Sequence, residues 1–168
     1  MVLHLKGAAR AVALAAVLAA TGSRSVASMF LKVDVPTLRS MSNSVVQARV
    51  VDVVSRWSDD GAIVFTYVTL DVTGRLYGSS APQIVVRVPG GTVGDFTSVM
   101  EGAPVFHEGD EIVAFLARWD DGAPMVAGYA EGLSTVVRDP AGNAILRGGL
   151  ADGMPVSELA KTLARVGR

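Results

Sequence analysis

Two valine-rich runs joined by a single Asp-Asp-Gly constrain this chain more than any other feature. SVVQARVVDVVSRW (Ser44–Trp57) and AIVFTYVTLDVTGRLYG (Ala62–Gly78) are dense in β-branched residues, which lose side-chain freedom in a helix and pack well on a pleated surface. In the second run Val64, Val68, Leu70 and Val72 fall on one face, and Phe65, Tyr67, Thr69 and Asp71 on the other. In the first, Val46, Ala48 and Val50 share a face, then Val51 and Val53 take the other. That slip predicts a β-bulge near Val50–Val51. QIVVRVPGG (Gln83–Gly91) is a third strand stopped by Pro89, and DEIVAFLARW (Asp110–Trp119), apolar on both faces, reads as a central strand. APMVAGYA (Ala123–Ala130) and LSTVVRD (Leu133–Asp139) follow, with a turn at Pro140–Asn143.

Helical periodicity is confined to the two ends of this β region. VPTLRSMSN (Val35–Asn43) suits one short helix. PVSELAKTLARVGR (Pro155–Arg168) predicts a C-terminal helix with Ser157 as N-cap and a stripe of Leu159, Leu163 and Val166.

The near-copies RWSDDGAIV (Arg56–Val64) and RWDDGAPMV (Arg118–Val126) pose a choice between acidic ligand sites and turns. A calcium loop needs oxygen ligands at alternating positions over about a dozen residues. Ile63 and Met125 end the polar stretch too soon, and Asp-Gly between strand-like runs is a strong hairpin signal. The aspartates therefore serve turns, so Asn in place of Asp120 and Asp121 is expected to leave stability unchanged. Each indole is expected to cap one end of a barrel.

Residues 1–27 carry Lys6, Arg10, Arg24, no acid, and the unbroken apolar run AVALAAVLAA. A basic start, an apolar stretch of about ten residues and small residues at Ser25 and Ala27 describe a signal peptide; a bilayer-spanning helix needs about 20 apolar residues. Losing those three cations takes the formal charge from −1 to −4. An acidic mature chain lacks the basic patch of nucleic-acid binders, and no stable membrane insertion is expected after cleavage. The chain has no cysteine, hence no disulfide, thiolate metal site, cysteine nucleophile or lipid-bearing Cys.

Chemistry-bearing motifs are sparse. PGGTVGDF (Pro89–Phe96) has the glycines of a phosphate loop but neither a Gly-Lys-Ser/Thr ending nor a following helix pattern. His107, the one histidine beyond residue 27, sits in FHEGDE beside Glu108, Asp110 and Glu111. It could form a metal corner or serve a hydrolase with Glu108 or Asp110, and its plainer reading is a polar turn. No catalytic, cofactor or metal site is assigned. The connection between Pro89 and Gly109 is long where hairpins need about two to five residues, and it holds Phe96, Val99, Met100, Val105 and Phe106. Such a loop either docks a protein partner, with Phe96, Met100, Phe106 and His107 as contact residues, or plugs an open barrel end.

The run SNSVVQARVVDVVSRWSDDGAIVFTYVTLDVTGRLYG, then QIVVRVPGG and FHEGDEIVAFL, resembles a family of uncharacterised bacterial exported proteins over about Ser28–Gly149, most specifically in Val-Pro-Gly-Gly and Gly-Asp-Glu. The opening SVVQARV, the long second strand ending in Gly78 and the late strand announced by Gly-Asp are also similar to the OB-type barrels of tissue metalloproteinase inhibitors and netrin-like modules. Those inhibitors act through an N-terminal cysteine that this chain lacks, so the likeness implies a fold and no mechanism.

The expectation is a mainly β protein: a signal peptide over 1–27, a small OB-like antiparallel barrel of five or six strands over 28–149, and a C-terminal helix over 150–168. Its expected role is an exported, secreted or periplasmic, non-enzymatic binding module with a protein partner. A hydrolase centred on His107 and a regulator of an exported protease are the alternatives. Mass spectrometry of the protein from its native cells is predicted to find a first residue of Ser28 or Met29; a product retaining Met1–Ala27 contradicts export.

Overall fold

A computed structural model describes residues 34–166. Residues 1–27, expected to be a signal peptide, lie outside the described residues. The chain runs through helix α1 (Val35–Ser40) and strands β1 (Ser44–Trp57), β2 (Val64–Tyr77), β3 (Gln83–Pro89), β4 (Gly91–Val93), β5 (Phe96–Ser98), β6 (Glu111–Arg118) and β7 (Pro124–Val126). A short 3-10 turn (Tyr129–Gly132) leads to β8 (Leu133–Arg138), β9 (Ala144–Arg147) and helix α2 (Val156–Arg165). The fold is mainly β and wholly antiparallel. A seven-stranded sheet runs β3-β2-β1-β6-β8-β9, with β7 hairpinned on β6, and β4–β5 form a separate small ribbon.

Two cores share the central strands. Val46, Ala48 and Val50 of β1 point into an inner core with Val68 and Leu70 of β2, Val86 and Val88 of β3, Ile112, Ala114 and Leu116 of β6, and Val126 of β7. Val45, Val113 and Phe115 point the opposite way, into an outer core with Leu38 of α1, Val136 of β8, Leu146 of β9, and Leu159 and Leu163 of α2. β6 is therefore apolar on both faces because both faces are covered. The β1 bulge falls where the alternation slips: Val50 opposes Leu70 and Asp52 opposes Thr69, leaving Val51 as the extra residue. The bulge returns Val53 to the inner side, where it packs against that core.

The sheet curls without closing into a barrel by hydrogen bonds. β3 and β7 face one another across a seam with no backbone ladder between them. The cause lies in β7. Ala123 and Ala127 bond to Trp119 and Phe115 of the β6 side, which turns the backbone of Pro124 and Val126 toward the seam. Proline has no N–H to give there, and β7 has only three residues.

Two helix expectations need correction. The N-cap of α2 is Pro155 with no side-chain cap bond, so Ser157 lies inside the first turn. Its buried stripe is Val156, Leu159 and Leu163, whereas Val166 is 37% exposed because the helix has ended at Arg165 before the stripe reaches it. Among the described residues no helix is long and apolar enough to cross a membrane.

Candidate functional site

The connection after β3 is a folded structure of its own. Gly90 and Gly91 take φ of 94° and 137°, which only glycine adopts without strain, and send the chain back across the ends of β1 and β2. Thr66 Oγ1 donates to the Gly90 carbonyl at 2.8 Å and lies 2.9 Å from Ser55 Oγ. A Cβ on Gly91 would collide with both hydroxyls. These glycines allow backbone to approach the protein's own hydroxyls, which explains them without a phosphate. The β4–β5 ribbon follows. The Ala130 amide then donates to the Gly102 carbonyl at 3.0 Å, tying residues 99–106 to the 3-10 turn.

Of the four expected contact residues, the structure separates two, Phe106 and His107, from the others. Phe106 is 8% exposed and belongs to the inner core, so it plugs the curl. Phe96 is 49% exposed and stacks on Trp57 with ring centroids 4.8 Å apart. Met100 is also exposed, as are Val99 and Val105 at 86% and 71%. Beside them lies a groove of about 430 Å³ lined by Val53, Thr66, Val88, Met100, Ala103 and Phe106. The loop is a plug and an apolar apron at once. Its charge is one-sided: from Val88 to Ala117 the sequence has no Lys or Arg, but holds Asp95, Glu101, Glu108, Asp110 and Glu111.

His107 lies outside this groove on an exposed turn. Its Nδ1 is 3.3 Å from Asp110 Oδ2, with the imidazole 75% exposed. Backbone bonds between Val50 and residues 109–110 dock the turn on the β1 bulge. The neighbouring carboxylates do not converge: Glu111 accepts from the Gln47 amide and lies 3.9 Å from Arg138. Among the described residues no three His, Asp or Glu side chains gather as a metal site. An imidazole in open water beside one carboxylate lacks the positioned nucleophile and excluded solvent that a hydrolase needs.

The two Asp-Asp-Gly units are both hairpin turns. Asp60 accepts the Ala62 amide at 3.1 Å and Asp121 the Ala123 amide at 3.0 Å, each followed by a left-handed glycine, Gly61 or Gly122. Their tryptophans differ. Trp57 stacks on Phe96, whereas Trp119 Nε1 donates to the Arg87 carbonyl at 3.3 Å, across the seam. Asp121 does more than hold its turn. It accepts from Arg87 Nη2 at 2.6 Å, and the Arg87 guanidinium also lies over the rings of Phe65 and Trp119. Arg87 Nε is buried without a partner. Sequence periodicity gives no sign of this bridge, because its members are 34 residues apart.

Comparisons with protein-family models, with curated proteins and with solved structures find no match.

Two predictions follow from this geometry. Phe106→Ala costs about 3–5 kcal/mol, as buried Phe truncations do, while Phe96→Ala loses one exposed stacking contact and costs about 1 kcal/mol or less. Denaturant unfolding of the two variants checks the split between plug and apron.

The second concerns pH. The Ala123 amide, and after it the Arg87 guanidinium, hold the Asp121 carboxyl below its ordinary value of 3.8. Its folded pKa is depressed, so its contribution is complete above the unfolded value and fades as pH falls through the lower folded one. Asp121→Asn keeps the turn acceptor and loses the charge. The variant is expected to melt lower than wild type at pH 7 and to show a shallower fall in Tm below about pH 4. Equal melting at both ends of that range contradicts the bridge.

Proposed function

We propose that this chain is an exported, non-enzymatic binding module that docks a protein partner through the apron around Phe96, Val99, Met100 and Val105. One observation carries the reading: the exposed side chains of Val99, Met100 and Val105 line one groove, on a loop that hydrogen bonds and Phe106 hold in place. Water-facing apolar groups on an ordered loop are a standing cost that contact with a partner removes. Asp95 and Glu101 within the loop, with no Lys or Arg between Val88 and Ala117, fit a partner whose apolar contact surface is rimmed by lysine and arginine. The curled sheet, the bulged first strand and the doubly covered β6 support an OB-like relationship. The basic, apolar start of the chain supports export to the periplasm or beyond.

The test uses the mature protein as bait in culture supernatant and periplasmic extract, beside a Phe96→Ser, Val99→Ser, Val105→Ser variant. The variant is expected to melt within a few degrees of wild type and to lose the captured partner. Capture by the wild type should weaken as salt rises, since screening acts on a carboxylate rim facing a basic one. Equal capture by both proteins, or no partner specific to the wild type, contradicts the reading.

A further inference from the structure

The seam between β3 and β7 carries a second inference, independent of the apron. In a strand the N–H and C=O of one residue point to the same side, and the next residue's point to the other. Three hydrogen bonds fix which residues of β3 face the seam. The Gly90 amide donates to Val64 of β2, and Pro82 accepts from Val72 of β2, so even-numbered residues turn toward β2. The Arg87 carbonyl accepts from Trp119 across the seam, so odd-numbered residues turn away from β2. The backbone groups of Gln83 and Val85 therefore face the seam, where no strand of the described residues pairs with them.

Beside this free edge the seam opens into a cleft of about 340 Å³, with Ile84 and Val85 on one wall, Leu116, Ala117, Arg118 and Pro124 on the other, and Asn43, Ser44, Ser79, Ser80 and Gln83 adding polar groups to the lining. Val85 is 46% exposed. Native sheets commonly guard an open edge with a proline, a bulge or an inward charge. Pro89 and the Arg87–Asp121–Trp119 bridge guard only the far end of β3. The near end is unguarded, and β7 cannot fill it, since Pro124 lacks the donor. Charge at the cleft is positive. Arg118, which donates from Nη1 to the Gly122 carbonyl at 2.7 Å and keeps its other donors, is its only charged lining residue, and Arg75 Nε, donating to Ser80 at 3.2 Å, stands behind the loop that forms its rim. Two acids of the flanking elements are engaged: Asp71 accepts the Gln83 side-chain amide at 2.8 Å and Asp121 pairs with Arg87.

We propose that the Gln83–Val85 edge of β3 accepts an extended segment of a partner protein as an added strand. The segment has apolar residues at alternate positions and an Asp or Glu side chain placed to meet Arg118. Main-chain bonds to Gln83 and Val85 supply register, the apolar walls take the alternating side chains, and the Arg87 bridge ends the added strand. The carboxylate requirement follows from the charge of the cleft, and a basic segment is repelled.

Random heptapeptides displayed with blocked C-termini, selected on the purified exported protein, test this. Enriched peptides are expected to alternate apolar residues and to contain Asp or Glu. In solution they should slow exchange of the Gln83 and Val85 amides, with no new protection around Val99. Val85→Pro removes a seam-facing N–H and none that bonds to β2, a position where edge strands tolerate proline, so it should melt within a few degrees of wild type and weaken peptide binding at least tenfold. Arg118→Glu, whose fold does not depend on a proline fitting the strand, should shift the enriched set from acidic to basic peptides. The apron variant should bind the selected peptides as wild type does, so failure of the apron reading and failure of this one are separable. No enrichment above background overturns the proposal, as does peptide binding indifferent to Val85→Pro and Arg118→Glu. A concentration-dependent dimer that protects the Val85 amide without peptide also overturns it, because the edge would then belong to a second copy.

Discussion

The burial of β6 on both faces is the constraint from which the remaining architecture follows. Ile112, Ala114 and Leu116 enter the inner core while Val113 and Phe115 enter the outer one, so a single strand belongs to two packed layers. Such a strand is stable only with cover on each side. One cover is the curl of β1, β2, β3 and β7. The other is α1, α2 and the inner faces of β8 and β9. The first half of β1 shares this position, with Val45 on one side and Val46 on the other. Its second half leaves the outer cover and ends in the exposed Trp57.

A chain organised this way keeps its variable chemistry at the margin. The centre is apolar and hydrogen-bonded throughout, whereas the edge of β3, the apron after it and the two Asp-Gly hairpins project from it. The apron is acidic and apolar, and the cleft at the β3 edge is lined by arginine; the two lie toward opposite ends of the same strand, at Pro89 and Gln83. Opposite charge on two surfaces suits two different partners better than one continuous contact.

Much of the fold was legible because it rests on local period. The bounds of β1, the Val50–Val51 bulge and the central place of β6 all follow from which residues alternate and where alternation fails. The hairpin role of both Asp-Gly units was legible for the same reason. What sequence pattern could not show was long-range. Phe96 and Phe106 look equivalent in a linear apolar loop, and only the return of the chain over the open end of the curled sheet makes one a plug and the other a surface group. The Arg87–Asp121 pair joins two hairpins, so Asp121, readable only as a turn residue, became part of the seam. The open seam itself depends on which way the backbone of Pro124 faces, a matter of register with β6 and not of composition.

Native-state hydrogen exchange on the free protein tests the central claim, that a doubly covered β6 anchors a sheet whose β3 edge stands open. The account predicts that the Val113 and Phe115 amides exchange only through global unfolding. It also predicts that Val85 exchanges far faster than its neighbour Val86, whose amide bonds to β2. Val85 and Val86 protected alike, or Val113 exchanging through local opening, would contradict it.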